Sequence, residues 1–183
     1  MTLNSLKNIR NIILLLAIIV LIFAQSVFAG TANTPAIRLS APASAAAGSV
    51  ITAEIMVEAP ANQKLTGIAA TLVWDAELLE PVGDPVVREE FFGKPLAARS
   101  DAVKGLTEIT AASIGDSAVS FADKGGVLFA EQQFRVKEAA LKAGKVRIGF
   151  TTDKNRSANG TYIVTESGGL NFAIITPVSL LVN

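Results

Sequence analysis

The most informative segment of the chain is KLTGIAATLVWDAELLE, residues 64–80. From Thr66 to Asp75, larger apolar residues alternate with smaller ones at a period of two. That period is typical of a β-strand whose two faces meet different surroundings. We predict that the larger set faces a core, because bulk and apolarity favour burial. This inward set is Ile68, Ala70, Leu72 and Trp74. The outward set is Gly67, Ala69, Thr71 and Val73.

The end of this strand has its own chemistry. A large aromatic residue, Trp74, can close the open edge of a sandwich core. Asp75 can then accept backbone N–H groups of the turn that follows, as an Asx-turn does. Residues 75–80 are therefore predicted to form one helical turn or a tight loop, stopped by Pro81.

Similar strand patterns lie on both sides of this segment. The other predicted strands are residues 36–40, 49–58, 86–92, 106–114, 127–137, 145–150, 162–165 and 171–182. Phe91 or Phe92 is expected inside, and Gln132 falls on an inward face, which a β-bulge or a hydrogen bond would explain. A helical turn capped by Gly144 is expected at residues 138–144. About nine strands at regular spacing, with almost no helix, predict an all-β antiparallel β-sandwich with jelly-roll topology.

The beginning of the chain reads as a secretory signal peptide, residues 1–29. Lys7 and Arg10 precede an apolar run at residues 12–23, and small residues at Val27 and Ala29 fit a cleavage site. That run is about a dozen residues long, whereas a membrane span needs about 20. We expect cleavage, a short linker at residues 30–35, a domain at residues 36–183, and a secreted or periplasmic product with no stable membrane span.

Composition excludes several kinds of function. The chain has no His and no Cys, so a Ser-His-Asp triad, a catalytic thiol and a thiolate metal site are ruled out. Its 16 basic and 16 acidic residues give no net positive charge for nucleic acid. We therefore expect no enzyme, no cofactor, no metal and no nucleic-acid partner.

Other candidate sites are weaker. Asp84, Glu89 and Glu90 suggest paired glycosidase carboxylates, but Glu89 and Glu90 would point to opposite faces of a strand. The loop at residues 153–160 carries oxygen ligands without the spacing of a calcium loop, so a plain polar loop is favoured. As an aromatic residue Trp74 is a candidate for stacking on a sugar, but its place in the inward set favours a core plug.

Three segments together resemble a cohesin module. They are residues 64–80, the stretch GVLFAEQQFRVK at residues 126–137, and the opening at residues 37–57. One departure is Ala76, where the family usually has Pro after the Asp. The resemblance implies a nine-stranded jelly roll that binds a dockerin, a small calcium-loaded module usually attached to a secreted enzyme, as in cellulosome-type scaffold proteins.

The resemblance also implies a binding face: one flat sheet containing the strands at residues 66–75 and 127–137. Carried over by position, its outward residues are Gly67, Ala69, Thr71, Val73, Glu108, Thr110, Ala112, Glu131, Gln133 and Arg135. Enzyme-recruiting cohesins tend to have Asn and Asp where this chain has Gly67 and Ala69, so a different partner surface is possible. A long charged residue at Ala69 or Thr71 is expected to abolish capture and leave folding intact.

The expected partner is therefore a dockerin-bearing or other secreted protein. Two alternatives stay open at this point. One is a carbohydrate-binding module that takes a polysaccharide on the same kind of sandwich, although the sequence offers few aromatic residues for it. The other is a structural or adhesin-type sandwich that assembles with copies of itself.

Overall fold

The computed structural model describes residues 35–60, 63–113, 119–120, 126–151, 160–168, 170–171 and 178–183. The predicted signal peptide, most of the predicted linker and the polar loop before Gly160 lie outside these residues. In the described part of the chain, no helix is long and apolar enough to cross a membrane.

The strands of the first of two sheets, sheet A, are β1 (Ala36–Ser40), β3 (Val50–Glu58), β5 (Leu79–Pro81), β6 (Val86–Val87) and β10 (Val127–Val136). Their order in the sheet is β1-β3-β10-β5, with β6 also paired to β10. Every pairing in this sheet is antiparallel.

The second sheet, sheet B, is built around one long strand, β4. Its strands are β2 (Ser44–Ala45), β4 (Lys64–Trp74), β7 (Ala97–Asp101), β8 (Leu106–Ala112), β9 (Val119–Ser120), β11 (Lys145–Phe150), β12 (Tyr162–Thr165), β13 (Leu170–Asn171) and β14 (Val178–Val182). β8 lies along one edge of β4 and is followed outward by β7. β11 and β12 share the other edge of β4, and β14 lies beyond β11. The one parallel pair in the described residues joins β14 to β2.

The core lies between the two sheets and confirms the predicted alternation. Ile68, Ala70, Leu72 and Trp74 of β4 are buried there, and so is every second residue of β3. Trp74 packs edge-on against Phe134 of β10, with ring centroids 5.2 Å apart. The all-β sandwich prediction is therefore confirmed, and the two sheets are held together mainly by buried apolar surface.

Some predicted elements differ in detail. Residues 86–92 are not one strand: β6 ends at Val87, and a short helix, α1 (Glu89–Phe92), follows and buries Phe92. β7 was not predicted, because AARSD is short and weakly β-prone. The predicted strand at residues 171–182 is described only as the end of β13 and as β14. The predicted turn before Gly144 is confirmed as α2 (Ala139–Ala143), which ends at a left-handed Gly144.

Candidate functional site

The outer face of sheet B brings together the predicted outward residues of β4 and β8. Their register pairs Gly67 with Ala112, Ala69 with Thr110, Thr71 with Glu108, and Val73 with Leu106. Because paired residues of antiparallel strands project to the same side, these positions form one continuous surface. We call it the sheet B outer face. Tyr162 of β12 extends it beside Ala69, and Ala97 and Arg99 of β7 extend it beyond β8.

The remaining predicted face residues lie elsewhere. Glu131, Gln133 and Arg135 belong to β10, which pairs with β3, β5 and β6 in sheet A. Their outward side chains therefore project from the opposite exterior of the sandwich. The expectation of one flat sheet holding all ten residues is wrong. Alternation fixes which residues point outward, but it does not say which sheet a strand joins.

The centre of the sheet B outer face is made of small, buried residues. Ala69 is 0% exposed and Thr71 is 1% exposed, although both point away from the core. The Thr71 hydroxyl donates to the Gly160 carbonyl at 2.9 Å, and the Thr71 N–H donates to Oγ1 of Thr161 at 3.0 Å. These positions are structural, so the expectation that a charged residue there leaves folding intact does not agree with their burial.

Charged residues lie around this centre. Arg99 donates to Oε2 of Glu108 through Nε at 2.9 Å and through a terminal nitrogen at 2.7 Å. The Glu108 side chain is only 15% exposed because Arg99, 72% exposed, lies beside it. Sequence reasoning missed Arg99 together with its strand. The pairing of an Arg with a Glu nine residues later is its only signal, and it is a weak one.

A second charged part of the face belongs to β11. Lys145 and Arg147 are exposed and alternate with the buried Val146 and Ile148. Their register partners on β14 are Leu181 and Ser179, and Leu181 is 60% exposed. From the sequence, these cations are expected to form a solvated rim. The structure places them on the same outer face as the outward residues of β4.

A hydrogen-bond chain beneath the face connects the two sheets. Trp74 Nε1 donates to Thr107 Oγ1 at 3.3 Å, and that oxygen lies 2.9 Å from Ser100 Oγ. Ser100 Oγ donates to Gln132 Oε1 at 2.9 Å, and Gln132 Nε2 donates to the Gly83 carbonyl at 3.2 Å. Of the two explanations expected for Gln132, the hydrogen-bonded inward residue is the one observed; a register shift also occurs, but between Leu128 and Ala130. The chain anchors edge strand β7 against sheet A.

The turn after β4 has the predicted geometry. Asp75 Oδ1 accepts the N–H of Glu77 at 2.8 Å, as an Asx-turn requires. The Trp74 N–H donates to the carbonyl oxygen of Gly105, which has φ +64°, at 3.0 Å. A Cβ at Gly105 would collide with the Trp74 carbonyl, so the hairpin from β7 to β8 can close against β4 only with Gly there.

The alternative sites gain no support from the geometry. Trp74 is 5% exposed in the core, which agrees with a plug and not with a sugar platform. Glu89 and Glu90 lie exposed on α1, so the strand argument against a glycosidase pair does not apply to them. In the described ranges, no group of three or more acidic residues could hold a metal ion.

Comparison with family models gives no match, and neither does comparison with curated proteins. Solved structures do match. A cohesin module of a family 33 glycoside hydrolase from Clostridium perfringens superposes with a TM-score of 0.61 at 12% identity, covering 82% of this chain and 98% of that one. A cohesin–dockerin complex from Clostridium thermocellum gives 0.62 at 10% identity, covering 82% and 100%.

A third structure is the sixth cohesin of scaffoldin B from Acetivibrio cellulolyticus, solved with a Cel5 dockerin. It gives a TM-score of 0.62 at 12% identity and covers 82% of this chain and 100% of that one. The superpositions cover nearly the whole of each matched cohesin module, so they identify the fold; the sequence identities are too low to identify more than that. The protein therefore has the cohesin fold.

Proposed function

We propose that the protein is an exported, non-catalytic module that captures a partner protein of the dockerin class on the sheet B outer face. The observation that carries this proposal is the size of the central residues. Gly67, Ala69 and Thr71 put only small, buried groups at the middle of β4, so the centre of the face is close-packed and uncharged, and a partner would contact the exposed residues that surround it. Export rests on the predicted signal peptide.

The charged surroundings support a protein partner. Interfaces of this kind combine a close-packed centre with a polar rim. Here Glu108 and Arg99 lie at one side of the centre, and Lys145 and Arg147 at the other. The recognition chemistry that the resemblance implies at Gly67 and Ala69 is absent, so we assign specificity to the rim.

A polysaccharide partner is less well supported. In the described part of the sheet B outer face, Tyr162 is the only aromatic side chain, and it is half-buried. Sugar platforms on sandwiches use several exposed rings, because stacking on one ring contributes little. Capture of a protein is thus the better use of this surface.

The direct test is binding by the purified protein to dockerin modules from proteins encoded in the same genome. The chain is immobilised, and each dockerin is passed over it with calcium and then with a chelator. We expect at least one submicromolar dissociation constant that is lost on chelation. Binding to no dockerin, with the protein shown to be folded, contradicts the proposal.

Two matched variants locate the face. Ala112→Arg places a long cation on the half-buried part of β8 in the sheet B outer face. Thr52→Arg does the same on β3, on the outer side of sheet A. We expect at least about tenfold weaker capture for Ala112→Arg and a change of less than about twofold for Thr52→Arg. The reverse order would assign binding to sheet A.

A further inference from the structure

Two exposed cations on β11 have no ion-pair partner among the described residues. Lys145 and Arg147 lie on the sheet B outer face, about 7 Å apart as alternate residues of a strand. No carboxylate oxygen of the described chain lies within 4.0 Å of either one. We call these two residues, together with Leu181 beside Lys145, the β11 strip.

Most other arginines on the outer faces are neutralised. Arg99 pairs with Glu108 on sheet B, and Arg38 pairs with Glu58 on sheet A. Arg88 pairs with Glu131 at 3.7 Å. The β11 strip differs because its register neighbours on β14 are Ser179 and Leu181, which carry no charge.

The nearest carboxylate along the register on the other side is Asp75. It follows Trp74, whose partner on β11 is Ile148. Oδ1 of Asp75 accepts the Glu77 N–H, and Asp75 forms no ion pair with Arg147. Neither cation of the strip therefore forms an ion pair with the described chain.

The strip is continuous with the proposed docking surface. Gly149, the next outward residue of β11, pairs with Val73 of β4. Unpaired cations beside an exposed leucine attract carboxylates and offer an apolar contact. We infer that the β11 strip recognises an acidic protein surface, with partner carboxylates pairing to Lys145 and Arg147 and an apolar partner side chain covering Leu181. The inference deepens the proposed function and rests on it for the identity of the docking face.

An anionic membrane is the competing occupant. Membrane attachment by charge alone needs clusters of four or more basic residues, or a lipid anchor in addition. Two cations and one leucine fall short of this, so the observations favour a protein surface.

The first experiment uses an oligoglutamate peptide as the probe and the isotope-labelled protein, followed by NMR at about 0.05 M and about 0.5 M salt. We expect shifts concentrated at residues 145–149 and 179–181, which weaken at high salt. Lys145→Glu and Arg147→Glu should each weaken binding about fivefold, and the control Lys94→Glu, an exposed cation in the loop before β7, less than about twofold. Shifts centred elsewhere, or equal losses in all three variants, overturn the inference.

The second experiment separates the strip from the proposed function. For a captured dockerin, we expect the double variant that combines Lys145→Glu and Arg147→Glu to lower the association rate constant about tenfold at low salt and less at high salt. Unchanged dockerin kinetics overturn the strip and leave the docking proposal intact. Peptide binding at the strip with no dockerin captured supports the strip and contradicts the docking proposal. Binding of the wild type, but not the variants, to vesicles with roughly 30 mol% anionic lipid assigns the strip to a membrane and overturns the inference.

Discussion

The outer faces of the two sheets arise from the same alternation of residues along a strand, but they differ in the size and exposure of their outward side chains. On sheet A, long side chains stand in water and form ion pairs, as Arg38 does with Glu58 at 2.8 Å. On sheet B, the central outward residues are small and buried, with Ala69 and Thr71 at the middle of β4. The first face is lined by solvated charged side chains, whereas the centre of the second is a buried, close-packed patch with charged residues around it. One sandwich thus has two different exteriors, and we propose docking on the one built by sheet B.

This difference has a structural consequence. Contacts between side chains on neighbouring strands are a main source of sheet stability. Small outward residues make few of these contacts. Sheet B replaces those contacts with hydrogen bonds that involve side chains. Thr71 is tied to Gly160 and Thr161, and Ser100 is tied to Gln132 across the core. On sheet B, residues that stabilise the fold therefore also lie on the proposed docking surface.

The strongest test of the comparison is Ala69→Arg. No space is open above the Ala69 methyl group, so a long side chain must displace its neighbours on β8 and β12. We expect a loss of about 3 kcal/mol in the free energy of unfolding, measured by urea denaturation. Gln133→Arg, at an exposed position of sheet A, is the control and should cost less than about 0.5 kcal/mol. Equal effects would mean that the two faces do not differ in packing.

Gln132→Ala should have the next largest effect. The substitution removes the acceptor of the Ser100 hydroxyl and the donor to the Gly83 carbonyl at a position that is 1% exposed. We expect a loss of about 2 kcal/mol, since buried polar groups lose their partners.

Its neighbour supplies the control. Gln133→Ala changes the same residue type on the exposed side of the same strand and should be nearly neutral. Hydrogen exchange gives a second measurement, because β7 should open more readily in Gln132→Ala than β1 does. Equal protection of β7 in wild type and variant would show that the chain does not anchor that edge.

The sequence predicts well which side of a strand each residue projects from, because that property depends only on neighbouring residues. The inward position of Trp74 and the unusual inward position of Gln132 both follow from counting residues along one strand. Sheet membership is not local, so β10 could not be separated from β4 by its pattern. β7 escaped prediction because five residues of mixed character carry almost no periodic signal. The burial of Ala69 depends on Tyr162 and Thr110, which are far away in sequence.

Thr71→Val is a smaller test of the same coupling. Val keeps the shape and the β-branch but cannot donate to the Gly160 carbonyl. We expect a loss of about 1 kcal/mol by thermal or urea unfolding, and Thr71→Ser should retain more of the stability. The matched change on sheet A is Thr52→Val, where no hydrogen bond of the side chain is lost among the described residues. A loss of the same size in Thr52→Val would show that the hydroxyl of Thr71 contributes nothing of its own.

The smallest expected effect lies in the turn at the open edge of sheet B. The Lys104 N–H, the Lys104 ammonium group and the Val103 N–H hold the pKa of Asp101 below its ordinary value of 3.8. A lowered pKa means that the ionised carboxylate stabilises the folded state above that ordinary value, and this contribution is lost as the pH falls through the folded-state pKa. Asp101→Asn keeps the oxygen that accepts both N–H groups and removes the charge. Wild type should therefore have a slightly higher melting temperature than the variant at about pH 6, and the difference should shrink at about pH 3. Glu54→Gln, an exposed carboxylate of sheet A with no ion pair among the described residues, should show no such difference. If the gap between wild type and Asp101→Asn is the same at both pH values, the turn is held by its N–H hydrogen bonds alone, and the edges of the two sheets do not differ in their use of charge.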